Sequence, residues 1–563
     1  MSWIIGSLGK TKAARDYGRS CPTEPKISFN TDRIRIWAGG IDSTFRFGKL
    51  ASGDEYYVLG YAVQVIGSSY YSITDWDGIL SDESRISSLD GHFLIIINNG
   101  KELKVYNDPL GKRGLYIVEN EEEIFFTSSL SALKEIKHPQ IDYSEFGVHW
   151  HTRFPPSNDN YSPALNCPYR GVQTLGTGAK AILGDTVCIT NTLLSPATES
   201  KDIYQLMESF SLLPVSQSQR MAIGLSGGMD VRPLLAVYLK AGTELTAVNY
   251  GNADSMDFRI AKQMAEDHNM PFRHVSYEEA EAEDSWEQAC VFMQNRGLSA
   301  NPANAPYSGY YKIVAEFADC FVSGFFGELF RFRFFVAHLA SLLKARKPVL
   351  QDLAGYLYKI PPPIFQPEIQ QQLHKGFISN LKASFETMPS AKGMLNPLWF
   401  NLFLARYLPA TATGAILNDL DQVLLDHMPW LQAEIIKQHW QNGFTFQLGE
   451  GVHRVLLKRN FPALESYPLA LADISAPYYY RQYMVKLKMW SYYKTHPLTR
   501  ENRLDRFLQN NKEAVLDLFN SSKVQTNAAY NLKEIDSYLS HYYKGDGGYR
   551  QAVNTWLAYE LGK

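Results

Sequence analysis

Ile223-Gly224-Leu225-Ser226-Gly227-Gly228-Met229-Asp230 is the stretch whose reading decides the fold. An apolar strand runs into two adjacent glycines and then into a helix. Two glycines at such a junction let the backbone come close to a ligand. Their N–H groups, with those of the helix N-terminus, can point at an anion. The Ser226 hydroxyl adds a donor. An acid at Asp230 suits a phosphate only if a cation stands between them, and Mg²⁺ takes carboxylate and phosphate oxygens together. No Gly-Lys-Ser/Thr follows, so this is not a Walker A loop, and it is not a GxGxxG dinucleotide loop either. Read alone, the stretch also fits a tight strand–helix turn with no ligand.

Outward from the loop, strand and helix patterns alternate. Strands are predicted over 221–225, 245–250, 272–275 and 319–323. Helices are predicted from 233 and over 257–268, where Ile260, Ala261, Met264 and Ala265 share one face. Such alternation implies a parallel α/β sheet. Beyond residue 334 the chain reads as mostly helical, and the apolar run 334–343 is too short for more than a buried helix. The first 190 residues or so are β-rich. Strands over 56–61, 93–97, 103–106 and 124–127 are punctuated by Asn98-Asn99-Gly100 and Asn107-Asp108-Pro109. A helix follows over 129–136. The aperiodic stretch 192–203 is predicted to be the linker between an N-terminal domain, 1–195, and a second domain, 204–563.

The bulk numbers narrow the function classes. A chain of 563 residues allows two to four domains. Its formal charge of -3 gives no support to a nucleic-acid partner. Five scattered cysteines with no CxxC pair signal neither a zinc ribbon nor a redox motif, and fit reduced thiols in a cytoplasmic protein. No run of about 18 uncharged apolar residues occurs, so no membrane association is expected. The acidic run 278–284 reads as a solvated helix start, and His149-Trp150-His151 as structural histidines without a third ligand.

Three segments together carry a resemblance. Ser226-Gly227-Gly228-Met229-Asp230 resembles the SGGxDS loop of the ATP-pyrophosphatase enzymes. Val248-Asn249-Tyr250-Gly251, with Asp257 and Ala261, resembles the second strand and Asp-x-x-x-Ala helix of the asparagine-synthetase-like family. Ser323-Gly324-Phe325-Phe326-Gly327-Glu328-Leu329-Phe330 resembles that family's second loop, commonly SGxGxDELF. In the N-terminal half, Asp90-Gly91-His92-Phe93, the segment from Asn107 to Tyr116, and the segment from Phe126 to Leu133 resemble its glutaminase-like domain. The resemblance is similar in kind to that of β-lactam synthetases and lasso-peptide cyclases.

The resemblance implies an α/β protein: an N-terminal-nucleophile-hydrolase-like β-sandwich, then a parallel sheet domain with a helical extension. It implies an ATP- and Mg²⁺-dependent ligase that adenylates a carboxylate, releases pyrophosphate and passes the acyl group to an amine. ATP would be held by Leu225, Ser226, Gly227, Gly228, Asp230, Val248, Ser323 and Gly324, and Mg²⁺ by Asp230 and Glu328. Arg454 and Glu328 would be catalytic. The expected partners are carboxylate and amine substrates, small or peptidic, and a second copy in a homodimer.

Four positions depart from the family pattern. Ser2 stands where glutamine-using members carry a catalytic cysteine, and a hydroxyl needs a stronger base than a thiol. A degenerate domain kept for structure is the expectation, and an N-terminal-serine amidase the alternative. Val231 replaces a hydroxyl residue and Arg232 follows it. The second loop is one residue shorter, so Glu328 fits either acidic position of the family's pair. In Gly449-Glu450-Gly451-Val452-His453-Arg454, Arg454 takes the place of the catalytic lysine, with His453 and Lys458 as other candidates. Tyr478-Tyr479-Tyr480 and Trp490-Ser491-Tyr492-Tyr493 line a substrate cavity or pack helices. A non-catalytic scaffold is the competing function.

Overall fold

The strand Asp90–Asn98 is buried along its whole length, which follows from its position between two layers. A computed structural model describes residues 2–152, 162–217, 219–331, 349–390, 396–421, 423–442, 450–471, 474–479, 491–492 and 503–563. The predicted helix over 334–343, Gly449, Tyr480, Trp490 and Tyr493 lie outside the described residues.

Two antiparallel sheets build the N-terminal half. One has six strands in the order 172–174, 116–119, 123–127, 3–9, 34–39, 27–30. The other has seven, in the order 187–190, 180–183, 103–107, 90–98, 55–66 and 45–49, with 69–72 paired to 55–66. Ile4, Leu8 and Ile36 of the first face Leu59, Leu94 and Ile96 of the second. On its other face the seven-stranded sheet packs Phe93, Ile95 and Ile97 under Ile79, Leu80 and Ile86 of the helices Trp76–Leu80 and Glu83–Ser87. Helices Leu130–Lys137 and Tyr143–His151 cover Trp3, Ile5 and Phe125 of the six-stranded sheet. Burial on both faces explains why 93–97 reads as a continuous apolar run and not as an alternation. The result is a helix–sheet–sheet–helix sandwich, the expected N-terminal-nucleophile-hydrolase-like layering. The apolar N-terminal stretch forms a central strand, Trp3–Gly9.

The second half carries a five-stranded parallel sheet in the order 272–275, 246–250, 221–224, 320–322, 425–427. From Met221–Gly224 the chain first builds outward to one side. It then returns to place Cys320–Val322 and Leu425–His427 on the other. The connections that follow Met221–Gly224 and Cys320–Val322 therefore diverge at a topological switch point, where α/β sheets bind ligands. The fold class is α/β, as expected.

The stretch 192–203 lacks periodicity, as predicted, but it is not loose. Leu194 is buried, and its carbonyl accepts from Arg406 Nε at 2.7 Å. One core also runs through both halves: Tyr61, Val63 and Leu110 pack with Phe210, Ile223 and Trp430. Among the described residues no helix is long and apolar enough to cross a membrane.

Candidate functional site

The first loop leaves Met221–Gly224 still in ladder register, with Leu225 N donating to Val248 O at 2.8 Å. It then turns into the helix Arg232–Lys240. Ser226 Oγ accepts from Gly228 N at 3.1 Å. Gly227 N donates to Asp257 Oδ1 at 2.9 Å. Asn249 Nδ2 donates to Leu225 O at 3.0 Å and to Asp257 Oδ2 at 3.2 Å. Leu225, Ser226, Gly227, Gly228 and Val248 thus come together. Asp257, noted in the sequence only as a motif letter, proves to be the loop's clamp. It stands in the first turn of the helix Met256–Asp267. Burial raises its carboxyl above the usual range, and the Asn249 and Gly227 donors oppose that.

The two glycines do different work. A Cβ on Gly227 would come 2.7 Å from Ala470 Cβ, and Ala470 N donates to Gly227 O at 2.9 Å. The close approach expected of a ligand is at Gly227 made by the chain itself. On Gly228 a Cβ would meet Ser226 Oγ at 3.0 Å and nothing else within 4 Å among the described residues. Among the described residues nothing else covers that face, which leaves room there for an anion.

The second loop interlocks with the first. Ser323 N donates to His427 O at 3.0 Å, and Phe325 N to Ser323 Oγ at 3.1 Å. A Cβ on Gly324 would lie 2.9 Å from Val231 N, and one on Gly327 would lie 2.4 Å from Asp230 Oδ1. The intervening Phe326 is left-handed at φ 68. A buried aromatic residue there carries strain of about 1–3 kcal/mol, which surrounding packing must hold. Val231 packs its side chain into the core and supplies no cap to the helix that follows.

Asp230 is the junction. Its Oδ1 lies 2.9 Å from His453 Nε2 and its Oδ2 2.5 Å from Arg331 Nη2. Its main-chain carbonyl accepts from Trp430 Nε1 at 2.8 Å. The His453 ring stacks on Trp430 at 4.2 Å, and burial holds its imidazole below the ordinary pKa, so it serves as a neutral donor. Arg331 also lies 4.0 Å from Glu450. Glu450 is left-handed at φ 61, precedes the helix Gly451–Asn460 and binds Arg454 at 2.9 Å. Arg454 lies over Tyr479 at 4.6 Å and Tyr478 at 5.6 Å, so those two tyrosines frame a charged side chain. Arg454 therefore reaches the neighbourhood of the loops, while Lys458 is exposed.

Arg232 does not face the anion side. It is fully buried and donates to Tyr467 O at 2.7 Å, Pro468 O at 2.8 Å, and Gly227 O and Leu464 O at longer range. It fastens the segment 464–468 to the loop and offers no compensation for Val231.

Asp230 is paired within the chain in this arrangement. Each carboxylate oxygen already accepts from a protein donor. Glu328 is half-buried on the turn Gly327–Arg331, next to the contact between Gly327 and Asp230. Among the described residues no group of three or more His, Cys, Asp or Glu is arranged to hold a metal. The expected Mg²⁺ ligands Asp230 and Glu328 thus lie on the two loops, and Arg331, invisible as a partner in the sequence, is paired with the Asp230 carboxylate.

Ser2 is fully buried, and a Cβ on Gly40 would come 2.6 Å from its Cα. Its hydroxyl accepts from Arg113 Nη2 at 3.1 Å. Arg113 also binds Asp421 of the other half, and His92 Nε2 lies 3.4 Å from the same carboxylate. Asp90 accepts from Ala433 N at 3.0 Å and Glu434 N at 2.9 Å. The segments around Asp90 and Arg113 thus serve as the joint between the halves. His149 and His151 are structural, and burial pulls both to a pKa of about 4. The acidic run 278–284 is largely exposed, as expected, with Glu278 and Glu281 paired to Arg506. A cavity of about 540 Å³ lies elsewhere, lined by Glu83, Phe93, Lys180, Thr192 and Glu434, and includes none of the loop residues.

No family model and no curated protein matches the chain. Solved structures are similar over part of it, two of them as follows. One, described as the allosteric regulatory enzyme of purine biosynthesis, shares 8% identity. It covers 49% of this chain and 74% of its own, with a TM-score of 0.21. The other is glutamine phosphoribosylpyrophosphate amidotransferase from B. subtilis complexed with ADP and GMP. It shares 10% identity and covers 68% of this chain and 86% of its own, also with a TM-score of 0.21.

Proposed function

We propose that the chain is an ATP-dependent ligase that adenylates a carboxylate, releases pyrophosphate and transfers the acyl group to an amine. The observation that carries this reading is the pair of glycine loops at the switch point of the parallel sheet, with the face of Gly228 uncovered among the described residues. In the bound state the Ser226 hydroxyl and Gly228 N–H exchange their mutual hydrogen bond for phosphate oxygens. Asp257 holds Gly227 in place while they do so. The oriented amides stabilise charge on the leaving group because they need no reorganisation. Arg454, one residue beyond His453, supplies positive charge at the same end of the sheet.

The amine is not drawn from glutamine in this chain. Ser2 is fully buried, and its hydroxyl accepts from Arg113. The substrates that suit this reading are a peptide or amino-acid-derived carboxylate and an amine carried by the same or a second molecule. ATP–pyrophosphate exchange, run over a panel of such carboxylates, tests the reading. Exchange that depends on one carboxylate supports it. No exchange and no ATP binding would end it. A second reading, a partner-binding protein without turnover, is favoured by the closure of Asp230 by Arg331 and His453. Nucleotide binding without exchange would favour that reading.

A further inference from the structure

We propose that the cavity at the joint between the halves is a binding site for a short peptide with free termini and apolar side chains. The proposal does not depend on the glycine loops being a phosphate site, since none of their residues lines this cavity. Its volume is about 540 Å³, inside the range of roughly 300–1,000 Å³ that small-molecule sites occupy. Its walls come from both halves. Phe93, Tyr106 and Lys180 belong to the seven-stranded sheet, and Ile86 to the helix Glu83–Ser87. Glu434 and Lys437 belong to the helix Ala433–His439 of the second half. Every residue of the crossing 192–199 lines it as well.

That crossing leaves much of its main chain unspent. It belongs to no helix or strand. Among the described residues, the N–H groups of Leu193, Leu194, Ser195, Thr198 and Glu199 donate to nothing. The carbonyls of Leu193, Ser195, Pro196 and Thr198 accept from nothing there either. Leu194 is itself buried, where an unpaired N–H is rare. A run of free donors and acceptors along one wall of a cavity is what a second backbone pairs with.

Charge and apolar surface select the ends and the body of the ligand. Two lysines share Glu434. Its Oε1 lies 3.0 Å from Lys201 Nζ and accepts from Gln438 Nε2 at 2.9 Å. Its Oε2 lies 3.7 Å from Lys437 Nζ, too far for a hydrogen bond. Lys437 has no other acidic partner among the described residues, so this group carries a positive charge in excess and suits a C-terminal carboxylate. Glu199 lines the same cavity with no ion pair among the described residues, and suits an N-terminal ammonium. Lys180 and Glu83 are matched to each other at 2.6 Å. Ile86, Leu89, Phe93 and Leu193 supply apolar wall for side chains.

Calorimetric titration of the full chain with the dipeptide Leu-Phe, beside its N-acetylated and C-amidated form, tests the proposal. Leu-Phe is expected to bind once per chain. The blocked form should bind about tenfold more weakly or worse, because it keeps the backbone and side chains and loses both charges. Lys437→Gln is expected to weaken Leu-Phe by roughly three- to tenfold. Its side chain is partly exposed and its one ion pair is long, so thermal unfolding of the free chain should stay near wild type. No binding of Leu-Phe overturns the proposal. Equal binding of the blocked form overturns it as well, as does unchanged affinity in Lys437→Gln. The comparison of the two peptides needs no variant, so a misfolded substitution does not blunt the test. None of these outcomes bears on the glycine loops, whose own test is ATP–pyrophosphate exchange.

Discussion

His453 Nε2 lies 2.9 Å from Asp230 Oδ1, and this contact fastens a C-terminal helix to the first loop of the parallel sheet. The ring is fully buried against Trp430. His453→Ala removes a neutral donor and a stacked ring and leaves a carboxylate oxygen short of a partner. The expected cost is about 2–4 kcal/mol, read by urea denaturation. His453→Gln, which keeps a donor, is expected to recover part of it.

The two glycines of the first loop separate stability from binding. Gly227→Ala sets a Cβ 2.7 Å from Ala470 and is expected to destabilise the fold by about 1–3 kcal/mol. Gly228→Ala meets only a serine hydroxyl, so thermal stability should stay near wild type while pyrophosphate affinity drops. Thermal unfolding and calorimetry on the same samples check the contrast.

Between the halves, Asp421 and Ser2 sit on the same arginine with unequal consequence. Asp421→Ala removes a buried carboxylate partner of Arg113 and is expected to cost about 3–5 kcal/mol. Ser2→Ala removes one neutral acceptor and is expected to cost about 0.5–1.5 kcal/mol. Turnover in Ser2→Ala should match wild type; its loss would revive the amidase alternative.

Asp426 gives the pH dependence a direction. It is buried on the strand Leu425–His427, and burial raises its carboxyl to about 7. The unfolded chain releases that proton near an ordinary pKa of about 3.9. Between those values the folded state holds a proton that the unfolded state has lost. Stability from this group is therefore full below about pH 4 and falls as pH rises through about 7. Each unit of the gap is worth about 1.4 kcal/mol. Asp426→Asn should flatten this part of a denaturation profile taken across that range, with its gain largest above pH 7.

Periodicity and glycine placement make the parallel sheet legible in the chain alone. The strand over 272–275 is observed at its predicted bounds, and the helix over 257–268 is displaced by one residue at each end. Leu425–His427 is illegible there because three residues are too few to show a period. Short strands such as Ile27–Asn30 and Val172–Thr174 escape for the same reason. The roles of Arg232 and Asp257 are also hidden. Each depends on what lies opposite, and a one-dimensional pattern does not record that.

The sequence by itself determined the order of strands and helices and the two loops that end at Asp230 and Glu328. Those features are local, set by backbone preference and apolar spacing over a few residues. Only the tertiary structure decided what Asp230 binds. Its partners Arg331 and His453 lie 101 and 223 positions away. A carboxylate takes whichever cation or donor the fold brings within hydrogen-bond reach, and here the fold brings Arg331 and His453.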